Sequence, residues 1–73
     1  MIEVFKTDVN SRDAASRLAN QIRHTFEDYQ VNFDLEDCDR ILRVKTGKEI
    51  IQSARIIALI ESHGFHAEIL SDN

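Results

Sequence analysis

Seventy-three residues with 42% apolar and 30% charged content describe one small globular domain rather than a disordered chain. A formal net charge of −4 argues against a nucleic-acid partner, which needs a basic face to displace counterions from phosphate. The single cysteine excludes an intrachain disulfide, and the longest apolar run, Ile56 to Ile60, is too short to span a bilayer. MIEVFKTDVN has no basic segment leading into a long apolar stretch, so no signal peptide is read there. An unpaired thiol without an export signal points to the cytoplasm. A chain of this length buries only about 60% of its unfolded surface. Stability must come from regular helices packed on a sheet, or from oligomer formation.

In chain order, IEVFKT (Ile2 to Thr7) alternates as a strand, with Ile2 and Val4 expected toward the core and Glu3, Phe5 and Thr7 on the other side. Asp8, Val9 and Asn10 form a loop, and Asn10 or Ser11 is an N-cap for the helix that follows. Asp13 adds negative charge near the positive end of that helix. The helix is expected from Ser11 to about Asp28, with Ala15, Leu18, Ile22 and Phe26 on one stripe, widened by Ala14 and Ala19. Tyr29 closes it. Gln30 to Glu36 alternates cleanly, with Val31, Phe33 and Leu35 inward and Asn32, Asp34 and Glu36 outward. A turn at Glu36 to Asp39 leads to a strand from Arg40 to Lys45, with Leu42 and Val44 inward and Ile41, Arg43 and Lys45 outward.

Thr46-Gly47-Lys48-Glu49 has capping-box spacing and is expected to open the second helix, apolar around more than half its girth and the more buried of the two. His63-Gly64-Phe65 ends it, with Gly64 left-handed and Phe65 supplying the accompanying apolar contact. His66 to Leu70 is the last strand, with Ala67 and Ile69 inward, and residues 71–73 form a tail. The β-α-β-β-α-β order with right-handed crossovers gives an α+β, ferredoxin-like sandwich: a single domain over residues 1–73, an antiparallel sheet in the order 4-1-3-2, and both helices on one face.

This pattern, with Gly64-Phe65 closing the second helix before a short strand, resembles the heavy-metal-associated domain of copper chaperones and metal-pumping ATPases. The resemblance places the family's Gly-Met-x-Cys-x-x-Cys loop, whose two thiolates grip a soft ion, at Asp8 to Ala14. There Val9 stands for the methionine, and Ser11 and Ala14 fill the two cysteine slots. A serine hydroxyl is a poor soft-metal ligand and alanine is none. The resemblance therefore implies a member that has lost its metal site and needs no cofactor.

Other residues offer chemistry. The topology sets Asp8 to Ser11, the acidic turn around Cys38, and His63 to His66 at one end of the sheet, so a relocated site from Cys38, His63, His66 and Asp8 is the alternative. Against it, Cys38 and His66 stand at least two strand spacings apart, each about 4.8 Å, whereas zinc bonds of about 2.0–2.3 Å need convergence. Asp37 and Asp39 deny Cys38 the positive surroundings of a reactive thiol. His24 lies on the first helix, away from this end. Asp34, Glu36, Asp37 and Asp39 lack the glycine and terminal glutamate of an EF-hand. Cross-strand pairing with Arg43 and Lys45 accounts for Asp34 and Glu36.

The open sheet face is expected to carry Phe5, Ile41 and Leu70 among charges that include Arg43, as a modest protein interface does. The third strand lacks the aromatics of an RNA-stacking sheet. No nucleophile–base pair or clustered glycine loop supports an enzyme. The reading is a cytoplasmic, non-catalytic protein that associates with a protein partner or with itself, without nucleic acid or membrane. The alternatives are soft-metal transport through Cys38 and His63 or His66, and a small-molecule regulatory domain.

Overall fold

The first helix forms where its stripe and cap agree. Ser11 is extended, at φ −135° and ψ 148°, and its Oγ accepts the Ala14 amide at 3.1 Å, so the helix starts at Arg12. Ala14, Ala15, Leu18, Ala19 and Ile22 are its buried residues, the stripe expected from their spacing. The computed structural model describes residues 1–47 and 50–70. Its elements are β1 (Ile2–Thr7), α1 (Arg12–Thr25), β2 (Gln30–Asp34), β3 (Ile41–Lys45), α2 (Ser53–Ser62) and β4 (Ala67–Ile69).

The strands form one antiparallel sheet in the order β2-β3-β1-β4, which is the expected order read from the other edge. One apolar cluster joins Leu18 and Ile22 of α1, Ile56 and Ile60 of α2, and Phe5, Leu42 and Val44 of the sheet. Both helices therefore cover the same face. Phe26 and Tyr29 close its end as a stacked pair with ring centroids 4.7 Å apart.

Ile69, expected inward, is 48% exposed, and α1, expected to about Asp28, ends at Thr25. Three larger expectations are also corrected. In β1 the inward residues are Phe5 and Thr7, at 0% and 6% exposure, whereas Ile2 is 57% exposed. Register decides this: Phe5 pairs with Leu42 and Glu3 with Val44, so these residues share the helix-covered face. IEVFKT is apolar on both faces of the strand, so alternation alone does not choose. Glu3 then lies under the helices, where its Oε1 accepts the Ser53 hydroxyl at 3.2 Å.

The second correction concerns Ile41. It faces away from Leu42, as expected, but is only 4% exposed and lies outside the main cluster. The third concerns α2, which starts at Ser53 instead of Thr46. Gln52 caps it without a side-chain hydrogen bond. Thr46 is instead buried and exchanges backbone bonds with Met1, extending the β1–β3 ladder. The rest of the capping box, Lys48 and Glu49, lies outside the described residues. Only Ile56 and Ile60 of α2 are buried, so α1 is the helix with more of its residues in the core. The end of α2 is as expected: Gly64 has φ +87°, and the Phe65 and Gly64 amides reach the Ile60 and Glu61 carbonyls at 3.3 and 3.0 Å.

Candidate functional site

One end of the sheet gathers the β1–α1 loop, the β2–β3 connection and the start of β4. Thr7 organises it. Its hydroxyl donates to the Arg40 carbonyl at 2.6 Å and accepts the Val9 amide at 3.2 Å, while its own amide donates to the Asp39 carbonyl at 3.1 Å. Asp8 ties the loop to β4: its amide donates to the His66 carbonyl at 3.3 Å, and its carboxylate accepts the His66 amide at 2.7 Å. Val9 is fully buried and plugs the end of the core. Alternation in IEVFKT fits either face, so the local signal for Thr7 is only a β-branched hydroxyl at the last position of a central strand.

At the two slots that the resemblance assigns to thiols, Ser11 is occupied as the helix cap and Ala14 is 4% exposed in the core cluster.

Cys38 is exposed at the tip of the β2–β3 connection. Asp37, Cys38 and Asp39 offer donor atoms within 4.8 Å of one another, the one such histidine, cysteine or carboxylate group among the described residues. The Asp37 carboxylate already accepts the Asp39 amide at 2.9 Å, and Lys6 Nζ lies 3.8 Å from the Asp39 carboxylate. The other candidates fall elsewhere. Asp8 holds backbone. His66 presents Nδ1 to Glu61 at 3.5 Å and Nε2 to Glu68 at 3.6 Å, all three side chains being exposed. His63 is the exposed C-cap of α2. The three regions share one end of the molecule, as expected, but His63, His66 and Asp8 are not in the cluster with Cys38.

On the open face, Arg43 lies 3.9 Å from the Asp34 carboxylate, the expected cross-strand pairing. Leu70 is 36% exposed, and its amide donates to the Val4 carbonyl at 2.9 Å. Phe5 and Ile41, expected as exposed interaction residues, are both buried and offer no surface to a partner. The apolar surface of this face comes from Ile2, Val4 and Leu70, beside Arg43 and Lys45.

No family model matches the sequence, and no curated protein matches it. Among solved structures, the yeast copper transporter domain Ccc2a, determined in solution in its apo and Cu(I)-loaded states, superposes with a TM-score of 0.77. The match covers 99% of this chain and 97% of that one at 19% identity. The likeness is one of fold: the ferredoxin-like sandwich of four antiparallel strands and two helices. The likeness extends through both helices and all four strands, since almost nothing of either chain falls outside it. No helix among the described residues is long and apolar enough to cross a membrane.

Proposed function

We propose that this protein is a non-catalytic, cytoplasmic association module with a heavy-metal-associated-like fold and no soft-metal site in its first loop. The observation that carries the reading is the use made of Ser11 and Ala14. One side chain is committed to the cap of α1 and the other to the core, so the loop has nothing soft to offer a metal. What the fold still presents is surface: Ile2, Val4 and Leu70 on the open face, rimmed by Arg43 and Lys45. Function then lies in docking, with a protein partner or a second copy.

The test is a Cu(I) titration read by native mass spectrometry under reducing conditions. The proposal expects no stoichiometric ion on the chain, and a retained Cu(I) at one per chain overturns it.

A second reading has its own observation, the approach of the Cys38 thiol to the Asp37 and Asp39 carboxylates within 4.8 Å. It assigns metal binding to this turn, without the histidines. The same titration separates it: retention by the wild-type chain that disappears in Cys38→Ser supports the turn site.

A further inference from the structure

The sheet has two edges, β2 and β4, and only one of them is guarded. Along β2, Arg23 donates to the Val31 carbonyl at 3.3 Å and Arg40 to the Leu35 carbonyl at 3.0 Å. Along β4, the direction of the backbone groups follows from the bonds to β1. The Leu70 amide donates to the Val4 carbonyl at 2.9 Å, and the His66 carbonyl accepts the Asp8 amide at 3.3 Å. Glu68 pairs with Lys6 between them, so alternation turns the N–H and C=O groups of Ala67 and Ile69 to the outer edge. No hydrogen bond among the described residues reaches those groups.

Side chains make this edge acidic at one end and apolar at the other. At the start of β4, Glu61 of α2 and Glu68 stand on either side of the His66 ring, with Nδ1 and Nε2 at 3.5 and 3.6 Å. Asp8 adds a third carboxylate, which holds the His66 amide at 2.7 Å. Lys6, across the ladder from Glu68, lies 3.8 Å from the Asp39 carboxylate instead, and the one arginine of α2, Arg55, lies over the Phe26 ring. At the far end, Ile69 shares the helix-covered side with its partner Phe5 yet remains exposed, and Leu70 is exposed on the open face.

We propose that the β4 edge takes an extended segment of a protein partner, cationic where it passes Glu61 and Glu68 and apolar where it meets Ile69 and Leu70. Its backbone bonds the open N–H and C=O groups of Ala67 and Ile69 and adds a fifth strand to the sheet. Lysine or arginine side chains meet the two glutamates. Apolar side chains cover Ile69 on one face and Leu70 on the other. A second copy suits the edge less well. Two β4 strands paired antiparallel about Glu68 would set like carboxylates opposite each other, which destabilises a sheet. This rests on the reading of the chain as an association module and names the surface and the chemistry of the partner.

The test is an NMR titration of the isotope-labelled chain with a short synthetic strand, lysine alternating with valine at one end and threonine with valine at the other. One control strand carries glutamate for lysine, and a second is N-methylated at its amides. The lysine strand should bind saturably and slow hydrogen exchange at the Ala67 and Ile69 amides. The glutamate strand should bind about tenfold or more weakly, since attraction becomes repulsion at both acids. The N-methylated strand should not bind. Glu61→Gln/Glu68→Gln, at two exposed positions, should weaken the lysine strand by about threefold or more.

A lysine strand that fails to bind, leaves exchange at Ala67 and Ile69 unchanged, or binds no better than the glutamate strand overturns the proposal. So does a dimer of the chain that protects the same two amides without peptide. In a chain that retains no Cu(I), any of these overturns edge addition alone. Retention of one Cu(I) per chain overturns the association reading, whatever binds the edge.

Discussion

The hydroxyl of Thr7 holds the carbonyl of Arg40 at 2.6 Å, where Arg40 takes the left-handed φ of +48° that non-glycine residues seldom adopt. The same oxygen accepts the Val9 amide, so one buried side chain joins β1, the β1–α1 loop and the β2–β3 connection. Thr7→Val keeps the shape and deletes both bonds. It should lower stability by about 1–3 kcal/mol, the range for leaving buried polar groups unpaired. Urea unfolding checks this, and an unchanged midpoint would remove Thr7 from its organising role.

Phe5 and Leu70 should respond differently to truncation, because the first is fully buried and the second is on the open face. Phe5→Ala is expected to cost about 3–5 kcal/mol, a large part of the stability of so small a domain. Leu70→Ala should stay within roughly 1 kcal/mol. Circular dichroism during thermal unfolding gives both answers. A tolerated Phe5→Ala would contradict the register that pairs Phe5 with Leu42.

Introducing a Cys-x-x-Cys spacing at positions 11 and 14 should create a soft-metal site if the loop has the geometry implied by the resemblance. Ser11→Cys/Ala14→Cys is predicted to bind one Cu(I), measured by native mass spectrometry with wild type as the control. Losing the serine cap should cost about 1 kcal/mol. Binding should offset this, since an ion held only by the folded chain stabilises it. A double variant that folds and ignores Cu(I) would show that the β1–α1 loop does not have a metal-holding shape.

Gly64→Ala isolates a backbone effect. A Cβ at this position meets nothing within 4 Å, but the φ of +87° is one that side chains disfavour. The expected loss is about 1 kcal/mol, and Gly64→Asn should lose less, because asparagine tolerates left-handed backbone better. Denaturant midpoints for both variants decide it; equal midpoints for glycine and alanine would refute the strain argument.

The element order, the buried stripe of α1 and the Gly64 stop were legible in the sequence, and the cap was narrowed to Asn10 or Ser11, because each depends on residues within a few positions of one another. The face of β1 was not. IEVFKT has apolar residues on both sides, so only the pairing of Phe5 with Leu42, far along the chain, chose which side the helices cover. The same reason moved Thr46 from a helix cap to the sheet, since its partner is Met1. Ser11 and Ala14 were visible as residues without thiols; the tertiary structure showed what each does instead, one bonding the Ala14 amide and the other filling the core. Local sequence thus set the elements and their order, and the start of α1 and the stop of α2, but not the start of α2. Long-range pairing, whose register carries no local signature, decided which residues are core and which are surface.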